Sequence, residues 1–380
     1  MLSAKRRSGA WPLIAGILLS TNGAARAGEG VWSTNGPAAS LVSSVAIDPA
    51  DATRIYAAVF DTSTGLVIGK VYRGSGRGAT WEPLTQTAAN KYVLSVAADP
   101  SNAATLYAFV SSGDLRKSTD GGATWSSAAS FGSSSGTLAF SPADPAALYV
   151  AGANCQCGPT GCLPGDCAAA IFRSRDGGAT FDTLPLGTGS YVTAFTADPT
   201  RANVLYAGTD TGLFTTLDGG ATWGKISQTI GACSLVSALA LDPHDNRSIL
   251  VGFFQGGATP CGGAYLTADA GGSWKRLNGL PIHATSFLFG PEGTGILYAA
   301  AGTASGATVY RSGDGGTTWT VLAGGLSGRY PQQLVGDASA QQLYVSTDGG
   351  VFDLEVLDVR AVAPPAKRKA APRSVTIRQP

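Results

Sequence analysis

A pair of sequence markers recurs along this chain and limits what it can fold into. The first marker is a turn-forming residue followed eight positions later by a tyrosine or a leucine. Its seven copies are Asp48 and Tyr56, Asp99 and Tyr107, Ser141 and Tyr149, Asp198 and Tyr206, Asp242 and Leu250, Gly290 and Tyr298, and Gly336 and Tyr344. The copies are separated by roughly 42 to 57 residues, so the spacing predicts seven repeats of one supersecondary unit.

The second marker follows each of the first six copies and reads Ser/Thr-x-Asp-x-Gly-x-Ser/Thr-aromatic. Its five complete copies span 118–125, 174–181, 216–223, 267–274 and 312–319, and their acids are Asp120, Asp176, Asp218, Asp269 and Asp314. A sixth copy, 74–81, has Gly76 in place of the acid. We expect each carboxylate to accept backbone N–H groups within a tight turn, which is a structural role. Calcium binding by these acids is the alternative.

Each repeat contains four short apolar runs separated by glycine-rich turns, which is typical of a β-propeller. The sequence therefore predicts an all-β, seven-bladed propeller over residues 28–359. The seventh repeat lacks the tryptophan that begins strand four. The other motif aromatics lie 16 to 19 positions before the next turn residue, and Trp32 lies 16 positions before Asp48, so we expect residues 31–33 to pair with the last blade. That pairing would close the ring and remove two exposed sheet edges.

The ends of the chain differ from the repeats in composition. Lys5, Arg6 and Arg7, an apolar run over 10–19 and the 25–27 Ala-Arg-Ala site predict a signal peptide, 1–27, and export to the periplasm or beyond the cell. An uncleaved anchor is the alternative. No later segment has the roughly 20 apolar residues of a membrane-spanning helix. Residues 360–380 are rich in proline and alanine with six basic and no acidic residues, which predicts a disordered tail.

The charge of the body excludes one class of partner. Residues 28–359 carry 16 basic and 25 acidic residues, a net charge of −9, which argues against a nucleic-acid surface. The two histidines of the chain, His244 and His283, exclude a multi-histidine metal site. We therefore expect a monomer with no metal or cofactor.

The five complete motifs resemble the Asp-box, or BNR, repeat of sialidases, sortilin-type receptor domains, two-propeller xyloglucanases and photosystem II assembly factors. The resemblance covers about residues 31–358. It implies the propeller fold strongly and an activity only weakly, since one fold hosts many functions.

Strand alternation sorts the loops onto two faces. One side of the ring, which we call the loop face, is formed by two kinds of loop. The first joins strands two and three of a blade, and the second joins strand four to strand one of the next blade. The turn residues and Asp boxes lie on the opposite side, the turn face. All six cysteines fall on the loop face, where an exported chain is expected to form disulfides: Cys155, Cys157, Cys162, Cys167, Cys233 and Cys261. A Cys233–Cys261 bridge is plausible, the order of the other four is open, and a zinc site is the alternative.

The mouth of the central channel on the loop face is the candidate binding site. Counting seven positions back from each turn residue, with immediate neighbours, selects Lys91, Tyr92, Tyr191, His283, Arg329 and Tyr330. Such side chains stack on and hydrogen-bond a sugar or a peptide. The alternative is that the rings only cap the channel.

The sequence lacks the signatures of the related enzymes. There is no Arg-Ile-Pro motif of the sialidases, and glycoside hydrolysis needs two carboxylates flanking the bond. Acids expected near the mouth are few: Asp61, Asp114, Asp166, Asp210 and Asp348. We therefore predict a binding or assembly module that recognises a protein or a polysaccharide on the loop face. The alternative is a divergent glycoside hydrolase, sialidase-like or xyloglucanase-like, using acids such as Asp61 and Asp114.

Overall fold

The computed structural model describes residues 31–34, 36–37, 41–61, 68–89, 91–132, 136–155, 167–230, 234–254, 262–280, 284–303, 306–326, 328–337 and 339–356. Within these ranges, 28 strands form seven antiparallel sheets, one for each predicted repeat. The predicted signal peptide and the basic tail lie outside the described residues.

The first three sheets, blades 1 to 3, follow one another along the chain. Blade 1 contains β1 (Leu41–Ile47), β2 (Ile55–Asp61), β3 (Ile68–Ser75) and β4 (Thr80–Pro83), with the short β5 (Ala88–Ala89) paired to β3. Blade 2 contains β6 (Val93–Ala98), β7 (Leu106–Val110), β8 (Asp114–Ser118) and β9 (Ser126–Ser130). Blade 3 contains β10 (Gly136–Ser141), β11 (Asp144–Cys155), β12 (Cys167–Ser174) and β13 (Asp182–Pro185).

The remaining four blades repeat the plan. Blade 4 contains β14 (Val192–Ala197), β15 (Leu205–Thr209), β16 (Gly212–Thr216) and β17 (Gly224–Lys225), followed by a 3-10 turn (Gln228–Ile230). Blade 5 contains β18 (Val236–Leu241), β19 (Ile249–Phe253), β20 (Gly263–Thr267) and β21 (Lys275–Leu277). Blade 6 contains β22 (Ala284–Phe289), β23 (Leu297–Thr303), β24 (Gly306–Ser312) and β25 (Thr320–Val321). Blade 7 has three named strands, β26 (Pro331–Gly336), β27 (Gln342–Thr347) and β28 (Gly350–Glu355).

The seven sheets form a ring, which confirms the predicted seven-bladed propeller. The first strand of each blade contacts the first strand of the next, and β26 of blade 7 contacts β1 of blade 1. Val42 and Val45 of blade 1 share a hydrophobic cluster with Tyr344 and Val351 of blade 7. Similar clusters fill the spaces between the other neighbouring blades, so the core of the protein lies between the sheets.

The tyrosine of the first marker is the anchor of the second strand. All six such tyrosines are buried: Tyr56, Tyr107, Tyr149, Tyr206, Tyr298 and Tyr344. In blade 2 every residue of β7 is buried, since both faces of this strand are covered by neighbouring blades. A continuous apolar run rather than a strict alternation is what such a strand requires.

The Asp boxes are turns whose hydrogen bonds are satisfied locally. In blade 5, the Asp269 carboxylate accepts the hydroxyl of Thr267 at 2.6 Å and the backbone N–H of Ser273 at 2.8 Å. The same bonds recur around Asp120, Asp176, Asp218 and Asp314. The hydroxyl of Thr267 and the two groups of Ser273 hold the pKa of Asp269 down to about 2. This arrangement is consistent with the structural role that the sequence predicts.

The boxes also link adjacent blades through their glycine carbonyls. Gly177, in the box of blade 3, accepts hydrogen bonds from the Tyr107 hydroxyl at 2.9 Å and from Lys117 Nζ at 2.6 Å, both in blade 2. Arg173 of blade 3 likewise donates to the Gly219 carbonyl of the next box, at 3.2 Å. Arg173 and Lys117 are therefore committed to scaffold contacts on the turn face, away from the channel mouth.

The N-terminal residues contact the last two blades without forming a named strand. Ser33 exchanges two backbone hydrogen bonds with Asp353 of β28, at 2.8 and 3.1 Å, and Trp32 N–H donates to the Gly324 carbonyl of blade 6 at 2.9 Å. The Trp32 side chain is only 3% exposed and packs with Leu334 and other residues of blades 6 and 7. The full fourth strand expected here is thus represented by two isolated bridges, at Val31 and Ser33.

The turn of blade 7 differs from the spacing rule. In five blades the N–H of the turn residue bonds the carbonyl six positions later, as Asp48 does with Arg54. In blade 7 the corresponding bond joins Asp337 and Gln342, and the Asp337 carboxylate also accepts the Gln341 N–H at 3.0 Å. The turn residue of blade 7 is therefore Asp337, and Gly336 is the last residue of β26. The turn is one residue shorter than its counterparts.

Candidate functional site on the loop face

Four partly exposed aromatic side chains lie on the loop face. Tyr92, Tyr191 and Tyr330 each directly precede the first strand of a blade, and Phe254 directly follows the second strand of blade 5. Their exposed fractions are 38%, 40%, 56% and 45%, respectively. The other large apolar side chains that are exposed within the described ranges are the aliphatic Val31, Leu217 and Val321. The four most exposed aromatic rings of the described chain therefore share one face of the ring.

A repeated bulge fixes where these rings emerge. In six blades the register between the first two strands shifts after the first or second residue, as between Val93 and Ser95 in blade 2. The residue directly before the strand that carries this bulge is Tyr92 in blade 2, Tyr191 in blade 4 and Tyr330 in blade 7. Tyr330, rather than Arg329, occupies the mouth position of blade 7, because the turn there is one residue shorter than the spacing rule assumes.

Tyr92 is held between two blades. Its ring lies 4.5 Å from that of Phe60, at the end of β2 in blade 1, measured between centroids. Its backbone N–H donates to the Ser111 hydroxyl at 3.1 Å, and its carbonyl accepts the Ser111 N–H at 2.9 Å. A ring that is fixed on one side and exposed on the other can bind a ligand without a large loss of side-chain entropy.

The blade 7 pair, Arg329 and Tyr330, packs on glycines. A Cβ placed on Gly302 of blade 6 would lie 2.8 Å from the Tyr330 ring, and one on Gly349 would lie 2.3 Å from the Arg329 guanidinium carbon. The two side chains therefore rest directly on backbone where any larger residue would collide. Asp348 fixes the segment by accepting the Tyr330 N–H at 2.8 Å. Arg329 is half-buried, so its guanidinium is available to a ligand on one side only.

Hydroxyl groups surround the blade 4 position. The Thr211 hydroxyl lies 3.0 Å from that of Thr209 and 3.4 Å from that of Thr188. Asp210 accepts the backbone N–H of Ser190, at 2.9 Å, directly before Tyr191. These contacts set the position of Tyr191 in the same way that Asp348 sets that of Tyr330.

The described acids of the loop face are engaged in local hydrogen bonds. Asp210 and Asp348 each accept a local backbone N–H, and Asp114 accepts the Ser112 hydroxyl at 2.7 Å. Burial by itself would raise the pKa of Asp114. Hydrogen bonds from the Ser112 and Ser130 hydroxyls and the charge of Arg116 outweigh this effect, so the net result is a lowered pKa. A general acid for glycoside hydrolysis needs a raised pKa instead. The Asp61 side chain and Asp166 lie outside the described residues.

The other predicted site residues have mixed outcomes. Lys91 lies next to Tyr92, is exposed, and faces Asp114 closely enough for its charge to lower that pKa. His283, Cys157, Cys162, Cys233 and Cys261 lie outside the described residues, as does the side chain of Cys155. Cys155 and Cys167 are opposite each other in the β11–β12 register, and Cys167 is disulfide-bonded. This register is consistent with a stapled insertion, and which cysteines are joined stays a prediction.

Sequence reasoning missed Phe254. Strand two of blade 5 ends in two consecutive phenylalanines, and successive side chains of a strand point to opposite sides. Phe253 is buried, so Phe254 is the one that is exposed. The Phe-Phe pair at a strand end was the signal that could have predicted this position.

A narrow polar cavity lies at the centre of the ring. It has a volume of about 280 Å³ and is lined by first strands of all seven blades. The bulge residues Ser43 and Ser237 each donate a hydroxyl to a backbone carbonyl of the next blade, at 2.8 and 2.9 Å. These groups are used to join blades, so the cavity is primarily scaffold.

Within the described ranges, no group of three or more His, Cys, Asp or Glu side chains is placed to hold a metal ion. None of the described helices has the length and apolarity to cross a bilayer.

Comparisons with known proteins find distant similarity to proteins of two kinds. No family model matches it. The sequence is 28% identical to a xyloglucanase of Hypocrea jecorina over 317 residues, which cover 74% of this chain and 32% of that enzyme. A xyloglucanase of a Paenibacillus species is 27% identical over 320 residues, covering 76% and 26%. The chain therefore spans about a third or less of the length of these curated relatives, and it is distantly homologous to them.

Solved structures of two kinds share the fold. A GH74 xyloglucanase from Xanthomonas campestris superposes with a TM-score of 0.60 at 18% identity, covering 88% of this chain and 55% of that chain. YCF48 bound to a D1 peptide superposes with a TM-score of 0.58 at 16% identity, covering 85% and 95%. The predicted resemblance to Asp-box propellers is confirmed by the similarity to these two groups.

Proposed function

We propose that this chain is a binding propeller that holds an extended segment of another protein across the aromatic positions of the loop face. The observation that carries the proposal is that the four most exposed aromatic rings of the described chain lie on that face, where Phe60 backs Tyr92 and a local hydrogen bond fixes Tyr330. Aromatic and arginine side chains dominate binding energy at protein interfaces. Tyr330 beside Arg329 therefore suits a peptide better than a uniformly apolar ligand.

Structural similarity adds limited support. YCF48, which has the same fold and nearly the same length, is known as a complex with a D1 peptide. For this chain the partner is defined by chemistry alone: an extended segment with apolar or aromatic side chains and at least one carboxylate for Arg329 or Lys91.

A second candidate is recognition or cleavage of a xyloglucan-type glycan, favoured by the sequence similarity to xyloglucanases. Tyrosine rings are suited to stacking on sugars. The lowered pKa of Asp114 and the local bonds of Asp210 and Asp348 favour binding over cleavage for this candidate.

The experiment that tests the proposal screens the intact chain against two probes, a displayed library of random peptides and an array of plant and bacterial glycans. We expect selection of peptides and no new reducing ends when xyloglucan is incubated with the protein. Selection of xyloglucan fragments alone would favour the second candidate, and release of reducing ends would favour an enzyme. A protein that selects neither probe would contradict both candidates.

The proposal includes three further features. We propose that the chain is exported after removal of residues 1–27, that disulfides restrain the loop-face insertions, and that the contacts of residues 31–33 with blades 6 and 7 close the ring. Mass spectrometry of the protein recovered from its native compartment, with and without reduction, tests the first two. A mass that retains residues 1–27, or an equal number of alkylated cysteines with and without prior reduction, would contradict them.

A further inference from the structure

A second cavity lies on the turn face, opposite the proposed binding surface. It has a volume of about 360 Å³ and opens where the channel meets the turns of blades 1 to 3. Its walls are formed by apolar side chains of the three first strands, including Val45, Val96 and Leu138, and by four turn prolines: Pro49, Pro100, Pro142 and Pro145. We call this cavity the proline pocket.

Small first-strand residues line the open space on this side of the ring. The first-strand residue opposite the marker tyrosine is alanine in blades 1, 2 and 3, namely Ala46, Ala97 and Ala139. In blades 6 and 7 the same register position holds Leu288 and Val335. Blades 4 and 5 have Thr196 and Ala240 there, so this position is small in blades 1 to 5 and larger in blades 6 and 7.

Each of the three blades has a carboxylate directly before a proline that lines the proline pocket: Asp48, Asp99 and Asp144. Asp48 is paired with Arg54 at 3.0 Å, and Asp144 with Arg175 at 3.3 Å. Asp99 has no such ion pair among the described residues, and its carboxylate accepts the Ser101 N–H at 2.8 Å. Asp99 is therefore the carboxylate of these three that is left for a cation from another segment.

The chain leaves the described structure on the same face. Strand β28 starts at the loop-face hairpin with β27 and runs to the turn face, where Val356 N–H bonds the Gln341 carbonyl next to the blade 7 turn. Strand β28 is two strand spacings, about 10 Å, from β26, which contacts β1. The six residues 357–362 span up to about 20 Å when extended, so Val362 is within reach of the pocket.

We propose that residues 362–369 of this same chain dock in the proline pocket. The segment reads Val-Ala-Pro-Pro-Ala-Lys-Arg-Lys, an apolar half followed by three basic residues. Val362 and the two prolines fit a wall of valine, leucine and proline, and the basic half provides the cation that Asp99 lacks. This inference concerns the face opposite the proposed binding surface and is independent of that function.

The test is a photo-cross-linking experiment on the full chain. Val362 is replaced by the photoreactive p-benzoylphenylalanine, the protein is irradiated at low concentration, and the cross-linked peptides are mapped by mass spectrometry. We expect the principal cross-links within one chain, to peptides that contain residues 44–49, 95–100 or 137–145. Cross-links spread over the surface, or formed only between two chains, would overturn the proposal.

Two pocket variants and one control sharpen the result. Ala139→Phe should fill the pocket and abolish the cross-link, and Asp99→Asn should lower its yield by up to about fivefold, the range of an exposed ion pair. Leu217→Ala, also on the turn face but outside the pocket, should leave the yield unchanged. Circular dichroism verifies that each variant is folded. A cross-link that survives Ala139→Phe in a folded protein would contradict docking at this site.

Discussion

Removal of the Trp32 ring is expected to destabilise the propeller more than removal of any Asp-box tryptophan. The ring is 3% exposed and packs among Val309, Leu326 and Phe352. A buried Trp→Ala change costs about 3–5 kcal/mol. The indole N–H of Trp32 has no hydrogen-bond partner among the described residues. Removing the ring also removes this unsatisfied buried donor, so we expect a loss of unfolding free energy at the low end of the range, about 3 kcal/mol.

Trp223→Ala is the matched control. The Trp223 ring also lacks a described partner for its N–H, but it is half-buried at the edge of the cluster between blades 3 and 4. We expect a cost of about 1–2 kcal/mol from the apolar area it covers. Urea denaturation followed by circular dichroism gives both values, with the free energy of unfolding taken from midpoints at constant slope. The reasoning is refuted if Trp32→Ala costs less than Trp223→Ala, because residues 31–33 would then contribute little to the ring.

Three further predictions concern turns and buried charge. The pKa of Asp269 is lowered to about 2, so the ionised Asp269 carboxylate stabilises the fold fully above about pH 4 and this stabilisation is lost between pH 4 and 2. Asp269→Asn should make the free energy of unfolding less dependent on pH in that range, as measured by acid titration. Burial raises the pKa of Asp353, so ionisation of this carboxyl opposes folding as the pH rises above about 4. Asp353→Asn should therefore gain stability relative to the native chain between pH 4 and 7. A difference in unfolding free energy between the two proteins that stays constant across that range would argue against burial of the charge. Gly122→Ala, at φ +91° with a Cβ position 2.4 Å from Leu84, should lower the melting temperature more than Gly187→Ala, at φ +72° with no atom nearby; equal shifts would show that the blade contact is unimportant.

The repeat markers predicted the scaffold because each has a local physical cause. An Asp box bonds within eight residues, and the marker tyrosine is required by a strand covered on both faces, so both features are readable from sequence. The mouth position of blade 7 was harder to predict from the sequence. It depends on a turn that Asp337 shortens by one residue, which shifts the position from Arg329 to Tyr330. Contacts between blades, such as Phe60 with Tyr92, join residues far apart in sequence and could not be derived from the spacing.

The central claim is that the loop-face aromatics form the binding surface. Its most direct test is the dissociation constant of a library-selected peptide for three forms of the intact protein, measured by fluorescence anisotropy. We predict that the Tyr92→Ala, Tyr191→Ala, Tyr330→Ala triple variant weakens binding by at least about tenfold, equivalent to about 1.4 kcal/mol. The Leu217→Ala, Val321→Ala variant, which removes exposed apolar groups outside that face, should bind as the native chain does. Equal affinity of the native and triple-variant proteins would contradict the account.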